Sequence, residues 1–313
     1  MTSVPHRPLL TPWYRVVGVD HRVLLEHGQR VVVLEGAAVR RLVPALLPLL
    51  DGTRSRDDLI SRLGVAARPA LEHALQVLAE QGLLVEGPPV PAELRVAAHA
   101  VAASYGLSPD VVAERLQSAV VGVVGSSPAA VEVARLLRLG GVGAVRRCRW
   151  RRDDSIEFAV VAPAAHELAR VGRWNRTALA TTRPWLPVAA YDGRFAAVGP
   201  LVVPGETCCY ACVRRRRASN LAYGRHLDEL EAVPTAALAD AALAAVVVGV
   251  AAHVVLRWIG GRDTTLPGVL FAVEARPALS VGEHPVLRHP RCPDCSPAER
   301  RAGRLPWHQA EAA

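Results

Sequence analysis

The chain has 313 residues, of which 51% are apolar, 21% charged and 4% aromatic, with 24 glycines and 24 prolines. This composition is typical of a globular protein and excludes the disordered, collagenous and disulfide-dense classes. All 37 basic residues are arginines, set against 29 acidic residues and giving a net charge of +8. The absence of lysine excludes enzymes that need a Schiff-base or Walker lysine. At about 100–200 residues per domain, the length predicts two domains.

The sequence predicts neither export nor a membrane span. No basic segment leads into an apolar one near the N-terminus, so no signal peptide is expected. The longest apolar run, between Asp240 and Arg257, falls short of the ~20 residues that cross a bilayer and is interpreted as a buried helix. Six cysteines, four of them in C-x-x-C pairs, indicate a reducing cytoplasm.

The first 87 residues predict a winged-helix-like domain of three strands and three helices. Val- and Leu-rich runs within Tyr14–Leu34 are broken by turn residues, which is typical of hairpins. Ser55 is expected to cap the second helix, and a short strand at Gly82–Gly87 closes the domain. The helices are predicted at Ala37–Leu50, Arg56–Leu63 and Pro69–Gln81.

A linker and connecting helices at 88–118 lead into a second predicted domain at 119–313. Ala119–Val124 is an apolar run followed by a turn at Gly125 and by helical spacing over Pro128–Leu139. Further strands are predicted at 142–150, 155–162 and 187–191, with a hairpin over 194–203. The order predicts an α/β domain with a parallel sheet of the Rossmann type.

Two C-x-x-C pairs carry the strongest chemical signal. Cys209 and Cys212 form the first pair and Cys292 and Cys295 the second, with 79 residues between the pairs. Together they supply the four thiolates of a tetrahedral zinc site, and four protein ligands leave no open position for catalysis. We therefore predict a structural zinc ion, with a redox dithiol as the alternative.

The turn at Gly125 lacks the pattern of a phosphate-binding loop. Nucleotide-binding turns of Rossmann-type domains use several glycines, so that the backbone can approach a phosphate at a helix N-terminus. The stretch from Gly125 to Ala130 reads GSSPAA and contains one glycine. The sequence therefore predicts that the turn is present but does not bind a nucleotide.

The order of these parts resembles the Ocin-ThiF-like proteins of thiazole/oxazole-modified peptide biosynthesis, relatives of the ubiquitin-activating-enzyme-like adenylating proteins. The resemblance lies in the βαβ start, in GPLVVPGETCCYAC from Gly199 to Cys212, in the Ala-rich helix and in PRCPDC from Pro290 to Cys295. The first 87 residues resemble, by element order, a PqqD-like recognition element for ribosomally synthesised and modified peptides (RiPPs). The implied fold class is α/β, with a winged-helix-like domain followed by a ThiF-like Rossmann-type domain that holds a four-cysteine zinc site.

The resemblance implies a protein that binds the leader of a ribosomally made precursor peptide. It would present the core to a separate YcaO cyclodehydratase as an accessory subunit without catalytic residues. Nucleic acid and membrane are not implied as partners, and a homodimer is allowed. The leader would add as a strand between the third strand, Arg30–Leu34, and the third helix. The residues implied for leader contact are Arg30, Val31, Val33, Leu71, Leu75 and Leu78.

Two other functional classes stay open. An ATP-dependent adenylating enzyme of the ThiF-like superfamily fits the fold, but it needs phosphate ligands that the sequence lacks. A winged-helix DNA-binding regulator fits the N-terminal domain and the positive charge. However, the third helix carries Glu72 and Glu80 and no basic residue within Pro69–Gln81, unlike a recognition helix.

Overall fold

A computed structural model describes residues 3–20, 22–87, 90–151, 153–222, 224–233, 239–275 and 277–296. The chain divides into two compact units, Met1–Leu116 and Gln117–Ala313. The helix predicted to connect two domains from residue 94 onward therefore belongs to the first unit. Pro88 and Pro89 of the predicted linker lie outside the described residues, and the domain limits at 87 and 118 stay a prediction.

The first unit combines a three-stranded antiparallel sheet with a set of helices. The sheet has the order β2-β3-β4, and β1 pairs with β5 in a separate two-stranded sheet. The predicted closing strand is therefore partnered by a strand near the N-terminus that the sequence analysis did not predict. The strands are β1 (Pro8–Leu10), β2 (Arg15–Val19), β3 (Arg22–His27), β4 (Arg30–Glu35) and β5 (Leu84–Glu86). The helices are α1 (Ala37–Arg41), α2 (Val43–Leu46), α3 (Arg56–Leu63), α4 (Arg68–Glu80), α5 (Ala92–Tyr105) and α6 (Pro109–Ser118).

Capping and proline residues explain where the helices of the first unit begin and end. Ser55 and Asp58 form a capping box at α3, in which the Ser55 Oγ accepts from the Asp58 N–H at 3.2 Å. The predicted cap is therefore confirmed. The helix predicted over Ala37–Leu50 is broken instead into α1, α2 and a 3-10 turn. Pro44 and Pro48 lack the N–H groups that a continuous helix needs.

One face of the three-stranded sheet and the helices α2, α3 and α4 enclose the core of the first unit. Several leucines of this core have at most 2% of their surface exposed. They include Leu25 from the sheet and Leu46, Leu59, Leu71, Leu75 and Leu78 from the helices.

The second unit is built on a seven-stranded mixed sheet with the order β12-β11-β10-β9-β8-β6-β7. The strands from β7 to β9 are parallel, and those from β9 to β12 are antiparallel. The predicted α/β class is thus confirmed, but the sheet does not end at the hairpin near residue 203, because two later strands extend it. The strands are β6 (Val120–Val124), β7 (Ala144–Cys148), β8 (Phe158–Val161), β9 (Trp185–Ala189), β10 (Phe195–Val198), β11 (Val269–Glu274) and β12 (Ser280–Pro285). The helices are α7 (Pro128–Leu139), α8 (Leu168–Ala180), α9 (Tyr210–Asn220), α10 (Leu227–Ala232) and α11 (Ala241–Leu256).

Helix α11 is longer than the apolar run in the sequence suggests. A π-helical turn over Arg257–Gly261 continues it to 21 residues, which by length and composition is enough to cross a membrane. The apolar run itself spans only the 16 residues Ala241–Leu256, as the sequence indicates. The helix packs against α7 and against β9, β10 and β11, which is the position of a core helix on a sheet.

Candidate metal centre and peptide-binding strand

The four cysteines of the two C-x-x-C pairs meet in one cluster. The Sγ–Sγ distances are 3.9 Å for Cys209–Cys212, 3.5 Å for Cys209–Cys292 and 3.4 Å for Cys212–Cys295, and all four sulfurs lie within 4.8 Å of one another. Four sulfurs about 2.3 Å from a central ion would be about 3.8 Å apart. The distances exceed the ~2.05 Å of a disulfide bond. The cluster can therefore hold a metal ion.

The ends of α9 and of the closing loop position these sulfurs. Cys209 is the N-cap of α9, and Cys212 lies in its first turn. The Cys212 Sγ accepts a hydrogen bond from the His289 N–H at 3.3 Å. In the closing loop, the Ser296 Oγ accepts from the Cys292 N–H at 3.0 Å and donates to the Pro290 carbonyl at 2.9 Å. Backbone and hydroxyl groups thus fix the thiols from outside the cluster.

A buried amide joins the two cysteine segments. Asn175 of α8 is fully buried. Its Nδ2 donates to the Asp294 carboxylate at 2.7 Å, and its Oδ1 accepts from the Tyr210 N–H at 3.0 Å. Because these partners lie inside the two C-x-x-C pairs, Asn175 fixes the position of the first cysteine segment relative to the second.

Arginines supply a second set of ties around the cluster. The Arg216 guanidinium donates to the Leu287 carbonyl at 2.8 Å, and that of Arg288 donates to the Thr207 carbonyl at 3.2 Å. Arg217 pairs with Asp192 at 3.0 Å. Part of the basic run at 214–217 therefore supports the fold.

Two further cysteines are not part of the cluster. Cys208 is buried, and this burial raises the pKa of its thiol to about 12. Burial and the neighbouring Asp153 carboxylate raise the pKa of the Cys148 thiol. Both thiols therefore stay protonated at neutral pH, Cys208 as a buried and Cys148 as a half-buried small side chain.

Strand β4 forms a free edge of the three-stranded sheet, at the place predicted for the leader peptide. A two-residue turn with Gly28 at a φ of 61° closes the β3–β4 hairpin, so the closing pair His27 and Arg30 is hydrogen-bonded. From there on, hydrogen-bonded and non-hydrogen-bonded pairs alternate along the two strands. Val31 and Val33 stand in non-hydrogen-bonded pairs, so their N–H and C=O groups point away from β3. Their side chains are 53% and 48% exposed. The edge thus offers unpaired backbone groups flanked by apolar side chains.

The other predicted leader contacts lie deeper or serve a structural role. The Arg30 guanidinium donates to the Gln81 carbonyl at 2.6 Å and ties the start of β4 to the end of α4. Leu71, Leu75 and Leu78 face the core of the first unit and are 0–2% exposed. Helix α4 turns its apolar stripe inward, so these leucines belong to the core of the first unit, and their contact with a leader stays a prediction.

The turn after β6 has its polar groups satisfied from within the chain. Gly125 has a φ of 111°, and a Cβ there would lie 2.1 Å from the Ala162 carbonyl oxygen. The Ser126 N–H donates to the Glu167 carboxylate at 2.8 Å, and Arg147 donates to the Gly125 carbonyl at 2.6 Å. The glycine is therefore required by the close approach of the segment after β8. No spacing in the sequence indicates the role of Glu167, which lies 41 positions from Ser126.

The Glu167 carboxylate is a buried anion held by hydrogen-bond donors. Burial raises its pKa, but the Ala164 N–H at 2.9 Å, the Trp150 Nε1 at 2.9 Å and the Ser126 N–H outweigh burial. Together these donors lower the pKa of Glu167 from 4.5 to about 2. The ionised carboxylate thus links the turn after β6, the loop after β7 and the segment before α8.

We expect Glu167 to make the fold sensitive to acid. Because its pKa is lower in the folded state, its stabilising effect is complete above about pH 4.5 and is lost as the pH falls towards 2. The loss by pH 3 is about 2 kcal/mol. Urea unfolding at pH 7 and pH 3 should show this extra loss in the wild type and not in Glu167→Gln. An equal pH dependence in both proteins would contradict the assignment.

Comparisons with solved structures show which known proteins have a similar fold. No protein-family profile and no curated sequence matches the chain. The heterocyclase TruD is similar over 93% of this chain and 43% of its own, with 25% identity and a TM-score of 0.71. A heterocyclase in complex with substrate and cofactor is similar over 92% of this chain and 39% of its own, with 22% identity and a TM-score of 0.70. Escherichia coli MccB with MccA is similar over 93% of this chain and 99% of its own, with 15% identity and a TM-score of 0.61.

These similarities test part of the family resemblance that was inferred from the sequence. The chain spans less than half the length of the heterocyclases that it matches. The matches support the resemblance to ThiF-like proteins of peptide biosynthesis, and those below 25% identity establish the fold alone. The PqqD-like element and the winged-helix assignment stay predictions.

Proposed function

We propose that the chain binds the leader of a ribosomally made precursor peptide in the cytoplasm. It then presents the core to a separate YcaO cyclodehydratase, which forms azoline rings. The observation that carries this proposal is the likeness to the heterocyclase TruD over 93% of the chain. MccB, which has the same fold, has been solved together with the MccA peptide, so proteins of this fold bind peptides.

Strand β4 is the element that we assign to leader binding. An extended peptide can add to a free sheet edge, where backbone hydrogen bonds give affinity and alternate side chains give specificity. Val31 and Val33 supply outward backbone groups and exposed side chains on this edge. The hydrogen bond from Arg30 to the Gln81 carbonyl holds the start of this strand beside the end of α4 and so supports the proposed edge.

We assign the four-cysteine cluster to a structural zinc ion. Four thiolates form the donor set that selects zinc over calcium or magnesium. Three of the cysteines are fully buried, and all four coordination positions come from the protein. Such an ion would hold α9 and the closing loop together without taking part in ring formation.

The second candidate function is ATP-dependent adenylation, which the likeness to MccB favours, because MccB has also been solved with ATP. The turn after β6 speaks against it. The Ser126 N–H and the Gly125 carbonyl are bound by Glu167 and Arg147, and the chain has no lysine to bind a phosphate. Peptide delivery without activation therefore accounts better for these residues.

Calorimetry with ATP and Mg²⁺ is expected to show no binding at the turn after β6 up to millimolar nucleotide. Precursor-dependent pyrophosphate exchange should be absent for the same reason, since Glu167 already occupies the Ser126 N–H and the chain has no lysine to bind a phosphate. The positive control is a ThiF-like enzyme that adenylates its own precursor, measured with that precursor and ATP. Pyrophosphate exchange catalysed by this chain alone would contradict the peptide-delivery proposal and favour adenylation.

A further inference from the structure

The three-stranded sheet of the first unit carries an apolar band on the face that points away from the core. Because side chains alternate between the two faces of a strand, the buried residues Val23, Leu25 and Val32 mark the inward face. The pairing register places a set of apolar side chains together on the opposite face, which we call the outward face. These side chains are half-buried or up to 53% exposed. They are Val17, Val19, Leu24, Val31 and Val33.

Opposite charges border this band at both ends. Arg15 of β2 stands opposite Glu26 of β3 and pairs with its carboxylate at 3.5 Å. At the other end, Arg22 of β3 stands opposite Glu35 of β4. The outward side chains of the middle strand are therefore Arg22, Leu24 and Glu26, a cation and an anion on either side of an apolar centre.

The outward face is complementary to itself. A two-fold axis in the plane of the sheet can stack the face on that of a second copy in two ways. An axis along the strands brings Glu26 onto Glu26 and Arg22 onto Arg22, and like charges in contact are costly. An axis across the strands brings Leu24 onto Leu24 and Glu26 of each copy onto Arg22 of the other. Charge complementarity therefore selects the axis across the strands.

We propose that the outward face is a homodimer interface, in which two copies stack their three-stranded sheets about this axis. Stacked sheets lie about 10 Å apart and interdigitate the side chains of their facing surfaces. Three strands of about five residues bury about 1,000 Å² in total when stacked, which is at the lower end for a specific complex. The dimer is therefore weak and forms at micromolar concentration.

The interface and the edge assigned to the leader use different parts of the sheet. A leader adds in the plane of the sheet beside β4, whereas the second copy covers the outward face. Arg22 and Glu26 belong to β3, whose backbone groups pair with both neighbouring strands. Substitutions at these two positions therefore change the dimer interface and leave the hydrogen-bonding groups of the β4 edge as they are.

Sedimentation velocity of the full chain, from low to high micromolar concentration, tests the interface. We expect the wild type to associate, and Glu26→Arg and Arg22→Glu each to weaken the association by about tenfold or more, because each places like charges face to face. An equimolar mixture of the two single variants should associate again, since the charges that repel within each variant attract between them. The recovery in the mixture also shows that both variants are folded.

Arg62→Glu is the matched control for Arg22→Glu. Arg62 is exposed in the last turn of α3, which packs on the inward side of the sheet, so the control makes the same charge change away from the interface. A wild type that stays monomeric at high micromolar concentration would overturn the proposal and leave the outward face to another partner. The proposal also fails if the mixture is as monomeric as each variant alone, or if Arg62→Glu weakens association equally. Leader binding to strand β4 succeeds or fails independently of these outcomes.

Discussion

Val33→Pro is expected to weaken binding of the precursor leader by about tenfold or more. Proline has no N–H to donate to an added strand, and its ring occupies the edge where the peptide would pair. One backbone hydrogen bond contributes about 1 kcal/mol, and the steric loss brings the total to the ~1.4 kcal/mol that corresponds to a factor of ten. Fluorescence polarisation of a labelled leader peptide measures the change.

Val16→Pro is the matched control for this variant. The backbone groups of Leu25 in β3 pair with Val32 of β4 and therefore point away from β2. Leu25 and Val16 thus form a non-hydrogen-bonded pair, and the Val16 N–H points to the outer edge of β2. The control therefore introduces the same residue at the opposite edge of the same sheet. Circular dichroism should show both variants folded. Equal weakening by the two substitutions would remove strand β4 from the binding site.

Cys209→Ser is expected to abolish metal binding and to leave most of the protein insoluble. The wild type should contain about one zinc ion per chain, because the four sulfurs already stand at tetrahedral spacing. The free energy of zinc binding at such sites is about 10–16 kcal/mol and contributes to folding, so its loss is comparable to the whole stability of an ordinary domain. Elemental analysis and thermal unfolding with and without a chelator measure both effects.

Cys208→Ala is the control for the metal site. Cys208 is buried directly beside the first ligand but lies outside the cluster, so the variant should retain its zinc and its solubility. A folded wild type without metal would exclude a structural ion. Loss of metal from Cys208→Ala to the same degree as from Cys209→Ser would show that general disruption, and not ligand loss, explains the result.

Features that depend on local sequence could be predicted well. Ser55 caps α3 because a hydroxyl three residues before an acidic side chain satisfies helical N–H groups wherever it occurs. The C-x-x-C spacing places two sulfurs on one turn, so the metal cluster could be predicted without knowing the rest of the fold. The turn at His27-Gly28-Gln29 could likewise be predicted, because turn residues interrupt two Val- and Leu-rich runs there.

Features that depend on distant partners could not be predicted. Strand β1 is three residues long and pairs with β5 across more than seventy positions, which leaves no periodic signal. The Glu167 carboxylate reaches Ser126 only because β6 and β8 are neighbours in the sheet. The burial of Leu71, Leu75 and Leu78 was equally hidden, since an apolar helical stripe does not reveal whether a core or a peptide covers it.

Titration of the wild-type chain with the leader of the precursor encoded beside its gene tests peptide delivery most directly. Fluorescence polarisation with the labelled leader and with a scrambled peptide of equal composition compares sequence-specific binding with charge attraction. We predict saturation by the leader at micromolar concentration or below, which requires a net binding free energy of about 8 kcal/mol, and none by the scrambled peptide. Equal binding of both peptides, or of neither, would contradict a leader-binding role.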